Sequence, residues 1–499
     1  MLDYILAQTS NFLKEMPKSI RKKKGQFFTS KETAIFMASL FDFTNINPHV
    51  EILDPGAGTG ILSAALIDRI ISEKAANSIS LTCYENDENV LPVLQNNLRY
   101  IQEHSDLPFD YKIIKDDYIL SQSADFEGSF FADNTARKYD LVIGNPPYLR
   151  IMRNNPVAIA MPTVVHGAPN MYFLFAAMSL FNLKQGHEMV YIIPRSWTSG
   201  EYFKMFRKYF LSNGKIEHIH LFVCRDKVFS QEQVLQETII IKVSKKDIAP
   251  CMVTISSTKT NNDFNEITEI QVPYSSIVSG KNLYVYLPTS KQDVKVIQMI
   301  NRYKNTLPDE GIKMHTGIVV DFRQREELRK EPGNHILPLF YSQNIRNGRV
   351  NHNSTGKEYD WIVDSKPGLI QKNQNYVFCK RFTAKEERRR LQCGIYLAED
   401  FPEYEYISTQ NKINYVDRVD KKEMSLPLTY GIYALLNSTL FDMFYRILNG
   451  STQVNSTEIN NIPVPSVDQI EAIGKKLIDA DNLSTETCDK ILEGDAYNG

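Results

Sequence analysis

The 499-residue chain carries 57 Lys and Arg against 59 Asp and Glu, a formal net charge of −2, with 42% hydrophobic and 23% charged residues. This is ordinary globular composition, which excludes a largely disordered, collagen-like or coiled-coil chain, and a prior of roughly 150 residues per domain allows two or three units. Near-neutral charge neither requires nor excludes a nucleic-acid partner, because a basic groove can sit on a neutral protein.

Residues 1–24 read as a short helix ending in the basic run Arg21–Lys24. The start has no basic-then-apolar leader pattern, and the apolar runs fall short of the roughly 20 residues of a membrane span. A cytoplasmic protein that needs no membrane is expected. Strand and helix patterns then alternate to about residue 245. His49–Leu53 is an apolar strand, followed by the loop DPGAGTG and a helix over 61–73. Ser78–Tyr84 is a second strand, followed by the turn ENDE and a helix over 89–102. Tyr111–Ile114 begins a third strand, and Tyr139–Ile143 is a fourth, ending at GNPPY. An amphipathic segment, Met171–Leu183, precedes the strand MVYIIP, and IEHIHLFV and QETIIIKV are strand-like. Such alternation predicts an α/β fold with a parallel, doubly wound sheet. His218 and His220 alternate as on a partly exposed strand face.

After residue 246 the texture turns rich in Ser, Thr, Asn and β-branched residues. The expected division is a catalytic α/β domain over 1–245, a linker or β segment over 246–290, and a mixed α+β domain over 291–499. The six cysteines form no CxxC pair and the nine histidines no HExxH, so reduced thiols and no metal site are expected.

Two motifs carry chemistry. In Asp54-Pro55-Gly56-Ala57-Gly58-Thr59-Gly60, glycines permit a sharp turn and close backbone approach to a ligand, and the helix start behind them favours an anionic group. Glu85, ending the next strand, stands where a ribose diol would meet a carboxylate. On these residues alone a tight βα turn with Glu85 as a solvated cap stays open. The second motif is Asn145-Pro146-Pro147-Tyr148. Proline rigidity fixes the direction of a carbonyl and an amide side chain. The Asn145 side-chain oxygen and the Pro146 carbonyl could accept both hydrogens of an exocyclic amine, while Tyr148 stacks on the flat base.

With both motifs in this order, the chain resembles the S-adenosylmethionine-dependent N6-adenine DNA methyltransferases of the gamma, TaqI-like order: a Rossmann-like methyltransferase domain followed by a target-recognition domain. The resemblance is strong over residues 20–245. It implies a site-specific, adenine-specific DNA methyltransferase acting on a base flipped from duplex DNA. It implies a monomer, the modification enzyme of a restriction-modification system with a cognate endonuclease encoded nearby. Phe27 and Thr29, in a segment similar to the family's amino-terminal cofactor motif, would lie near S-adenosyl-L-methionine. Asp54, Gly56, Gly58 and Gly60 would hold its methionine part and Glu85 its ribose. Asp117, with Asp116 adjacent, would hold its adenine amine, with Tyr118 packed beside it. Phe229 would stack on the flipped base. Direct in-line methyl transfer to the amine needs no covalent enzyme intermediate.

In the carboxy-terminal half, Lys380, Arg381, Lys385, Arg388, Arg389 and Arg390 interleave with Tyr376, Phe378 and Phe382, which suits phosphate contact; a solvated charged face is the plainer reading. Ser408–Val416 supplies short polar side chains able to read base edges. A protein N5-glutamine methyltransferase would also suit NPPY, but such chains lack a large carboxy-terminal half. A bifunctional restriction enzyme would need a PD…(D/E)xK block, which is not found. A decayed, non-enzymatic DNA-binding fold is opposed by the intact motifs. Pro250-Cys251 lies beyond the catalytic domain and reads as structure rather than as a nucleophile.

Overall fold

Runs of β-branched and aliphatic residues dictate the architecture of the first part of the chain. In the computed structural model, which describes residues 1–128, 136–223, 237–353, 355–384, 386–449 and 452–496, two units are present, Met1–Ser290 and Lys291–Gly499. The first is built on strands β1 (His49–Pro55), β2 (Ser78–Tyr84), β3 (Phe109–Ile114), β4 (Tyr139–Gly144), β5 (Leu183–Pro194), β6 (Lys215–Phe222), β7 (Thr238–Ser244), β8 (Met252–Thr258) and β9 (Thr268–Pro273). They form one sheet in the order β3-β2-β1-β4-β5-β7-β6-β8-β9. Strands β1 to β5 pair in parallel, and β7 enters antiparallel between β5 and β6. The central strands are buried over most of their length, and all six residues of β4 are buried. Such continuous burial is what a parallel sheet covered on both faces requires. The α/β expectation therefore holds.

One local expectation is narrowed and another needs correction. Of the two readings of 246–290, linker or β segment, the strands β8 and β9 agree with the second. Val253, Ile255 and Val272 are buried, and β8 pairs in parallel with β6 and antiparallel with β9. Part of the segment's Ser and Thr content is buried as well, Ser256 and Thr258 packing against His220. The helix Met171–Asn182 is not amphipathic: ten of its twelve residues are buried, as expected of a helix packed on more than one side.

His218 and His220 do lie on β6, but His220 is fully buried rather than partly exposed. Its ring packs against both Phe36 and Phe264 and bonds to Ser256 and Thr258, while His218 shares the Ser256 hydroxyl. Burial lowers His220 to about 3 and His218 to about 4. A histidine whose folded value is depressed takes up a proton on unfolding, so its stability contribution is complete above about pH 6.5 and is lost as pH falls toward the folded value. His220 alone should cost about 1.4 kcal/mol per pH unit over that window. Urea unfolding at pH 7 and pH 5 should show wild type losing more stability than His220→Asn; equal losses would remove the buried neutral histidine as the cause.

The second unit holds a six-stranded and a five-stranded sheet and a helical layer led by Leu426–Asn437 and Val467–Ala480. Those two helices approach so closely that a Cβ at Gly474 would lie 1.7 Å from the Pro427 carbonyl oxygen. No helix among the described residues is long and apolar enough to cross a membrane.

Candidate active site

In the order β3-β2-β1-β4-β5 the chain reverses direction of progress between β1 and β4, and a crevice opens outside the carboxyl ends of strands at such a switch point. Both motifs sit there: the glycine loop leaves β1 and Asn145 follows β4, which pairs with β1 through Ile52–Leu141 and Leu53–Val142. A cleft of about 500 Å³ lies at this place, lined among others by Phe27, Thr29, Gly56, Gly58, Glu85, Asp117, Tyr118, Asn145 and Pro147. That volume suits a small organic ligand.

The loop is shaped by backbone geometry that only glycine adopts readily: Gly56, Gly58 and Gly60 have φ of 84°, 57° and 86°. It is tied from several sides. The Gly56 and Ala57 amides donate to the Tyr84 carbonyl, and the Gly58 amide donates to Glu85 Oε2 at 3.0 Å. Thr59 meets Thr9 of the first helix at 2.7 Å, and Asn97 donates to the Thr59 carbonyl. Burial pushes the Glu85 carboxyl up, while the amides of Asp87 and Gly58 pull it back.

Asn145 is held in one orientation. Its Nδ2 donates to the Phe27 carbonyl at 2.8 Å and to the Thr29 hydroxyl at 3.1 Å. A carbonyl can only accept, so the amide nitrogen must face Phe27 and the oxygen must face the other way. That oxygen is buried and has no hydrogen-bond partner among the described residues. A buried, unpartnered acceptor costs stability, and here it stands on a residue that lines the cleft. The side chain is preorganised to accept a hydrogen from an amine or amide brought to it.

Residues 64–229 match the family described as "Eco57I restriction-modification methylase". The type II methyltransferase M.PstI of Providencia stuartii is 34% identical over 486 residues, covering 96% of this chain and 94% of that protein. M.BsuBI of Bacillus subtilis is 33% identical over 484 residues, covering 95% and 94%. The chain belongs to the type II methyltransferases of restriction-modification systems. Two solved structures share the fold at 14% identity and a TM-score of 0.51: a DrdV–DNA complex, over 96% of this chain and 60% of that one, and a nuclease-deletion mutant of the type ISP restriction-modification enzyme LlaGI with a DNA substrate mimic, over 92% and 55%.

In this methyltransferase not every residue singled out in the sequence lines the cleft. Asp54 lies behind the loop, accepts from the Ser63 hydroxyl at 2.6 Å and is pushed up to about 7 by burial. Gly60 faces Leu94. Both shape the loop rather than the cleft wall. Asp117 Oδ1 accepts the amides of Ile119 and Leu120, and Asp116 lines the cleft beside it. The Tyr118 hydroxyl is bound to Ser179 and Asn182. Pro146 is buried. Tyr148 flanks the site: its ring tilts against Phe27 at 5.3 Å and its hydroxyl donates to the Ile192 carbonyl. Phe229 lies outside the described residues.

Sequence reasoning missed Asp87 and Phe175, which also line the cleft. Burial raises Asp87, but the Lys24 ammonium at 2.8 Å and the Gln26 amide outweigh it and leave its carboxyl lowered. The acidic turn ENDE signalled Asp87; no local pattern marks Phe175.

The carboxy-terminal cluster is not one surface. Arg390 is fully buried, with Nε on the Thr383 hydroxyl and its guanidinium over the Tyr445 ring, so a phosphate cannot reach it. Arg389 donates to the carbonyls of Leu391, Leu436 and Ser438. Arg381 donates to the Asn411 carbonyl. Lys380 is half-buried, and Arg388 is exposed beside Glu486. Ser408, Thr409, Gln410 and Asn414 are buried and spent on internal partners, which removes them as base readers. Strand-like alternation with short polar residues looks the same in sequence whether the polar face is wet or packed.

Proposed function

We propose that this methyltransferase moves a methyl group from S-adenosyl-L-methionine to N6 of an adenine flipped out of duplex DNA. The observation that carries the reading is Asn145 lining the cleft with a buried side-chain oxygen that has no hydrogen-bond partner among the described residues. The residues present fit the cofactor: a glycine loop at a helix start, a carboxylate at the end of β2 and an apolar flank from Tyr118 and Phe175. Gly56 and Gly58 let the backbone approach its methionine part, Glu85 accepts from the ribose, Asp117 faces the adenine, and Phe27 and Thr29 close the side next to Asn145. When bound, the cofactor supplies an electrophilic methyl group on a sulfonium.

The target nitrogen is a poor nucleophile because its lone pair is delocalised into the ring. Asn145 Oδ1 and the Pro146 carbonyl accept its two hydrogens and favour the electron-rich geometry needed for attack, which is preorganised electrostatic stabilisation. Holding donor and acceptor close supplies much of the remaining acceleration. Tyr148 and Phe229 offset part of the stacking lost on flipping.

Residues 291–499 then serve as the target-recognition domain, with Arg388, Arg381 and Lys380 as the accessible part of the basic cluster. Arg388→Ala should lower the slope of log affinity against log salt by about one unit. Arg390→Ala should act on folding instead, by about 2–4 kcal/mol, the scale of truncating a large buried side chain. Salt titration of DNA binding and chemical denaturation separate the two; a normal denaturation midpoint for Arg390→Ala would contradict its structural role.

Transfer of a labelled methyl group to duplex DNA, RNA and protein, assayed side by side, tests the reading. Label in DNA alone supports it; label on a protein glutamine amide would replace it.

A further inference from the structure

The chain leaving Asn145-Pro146-Pro147-Tyr148 forms a pinned turn. The Tyr148 amide donates to the Gly25 carbonyl at 3.0 Å, the Ile151 amide to the Pro169 carbonyl at 3.0 Å, and the Met171 amide to the Leu149 carbonyl at 2.9 Å. Arg150 bridges Asn170. The Asn155 amide returns to the Met152 carbonyl, and its side chain caps the short helix Pro156–Ile159. At this turn Met152 is 76% exposed. Arg150 and Arg153 on either side are exposed, and neither has an ion-pair partner among the described residues. Leu149, three positions earlier, lines the cleft.

A single exposed apolar side chain is unremarkable by itself. Three features together are not: the backbone is fixed, two cations without ion-pair partners among the described residues flank the apolar group, and the turn is continuous with Asn145, which lines the cleft. A fixed cation–apolar–cation edge is complementary to a duplex, whose phosphates take the cations and whose base stack accepts an apolar wedge where a step is opened. Methionine is unbranched and polarizable, so it adapts to different neighbouring bases.

We propose that Met152 is a wedge that fills or props open the gap a flipped adenine leaves, with Arg150 and Arg153 gripping the adjoining phosphates. This rests on the flipped-adenine reading above. Met152 is thus a positioning residue: it lowers the cost of extrusion and takes no part in methyl transfer.

Steady-state kinetics test this with a duplex that wild type methylates and the same duplex carrying a mismatch opposite the target adenine, which is cheaper to unstack. Met152→Ala should lower kcat/KM on the paired duplex by about tenfold, the scale of a lost wedge contact, and come within about threefold of wild type on the mismatched one. Arg150→Gln with Arg153→Gln should raise KM, leave kcat near wild type and remove about two units from the salt slope. Equal defects of Met152→Ala on both duplexes, or no defect on either, would overturn the wedge. A wild-type enzyme that leaves duplex adenine unmethylated would instead refute the flipped-adenine reading itself.

Discussion

Asn145→Ala is expected to lower turnover by about 100-fold or more, the usual scale for one preorganised polar contact at a reacting centre. The substitution removes the unpartnered acceptor at the cleft and leaves the amine with one acceptor of two. It also frees the Phe27 carbonyl and the Thr29 hydroxyl from the Asn145 amide. Cofactor affinity should therefore fall slightly, by less than about 1 kcal/mol, the worth of an ordinary hydrogen bond. Asn145→Asp sharpens the test. It keeps an acceptor of the same size but sets a carboxylate oxygen against the Phe27 carbonyl, where a donor is required, so it should also fail. Single-turnover rates with saturating cofactor read both variants; near-normal turnover in Asn145→Ala would remove the tetrapeptide from the mechanism.

Glu85→Ala should weaken S-adenosyl-L-methionine binding by about 1–3 kcal/mol, the scale of a lost charge-assisted hydrogen bond. The carboxylate lines the cleft while its two oxygens accept the amides of Gly58 and Asp87. It thus both faces the ligand and joins the two loops that form the cleft floor. Glu85→Gln retains one amide acceptor and should lose less. Titration calorimetry on each variant, with thermal unfolding as a control for loop collapse, measures the effect. Unchanged affinity in Glu85→Ala would return this residue to a purely structural part.

How far the sequence reached follows from the kind of signal each residue carries. The strands around the cleft were legible because a buried parallel strand is a continuous apolar run, and the loops after β1 and β4 because glycine and proline punctuate them. The place of Asn145 at the cleft was foreseeable from its motif, but its geometry was not: nothing local says that Phe27 and Thr29, more than 100 positions away, would fix the amide. Asp54 looked like a ligand and lies behind the loop, since an acid at a strand end gives no sign of which side it faces. The same blindness to facing direction explains Arg390, buried within a run of arginines, and His220, buried on a strand taken as partly exposed. The segment over 246–290 was legible as β-rich but not as part of the catalytic sheet, because pairing of β8 with β6 leaves no local sign.

The identity of the methylated atom is the central claim. Duplex DNA incubated with wild-type protein and S-adenosyl-L-methionine, digested to nucleosides and resolved by mass spectrometry against standards, reads it directly. The account predicts N6-methyladenine with wild type and a loss of about 100-fold in its rate of formation with Asn145→Ala. Methylcytosine as the product, or N6-methyladenine formed equally fast by both proteins, would contradict it.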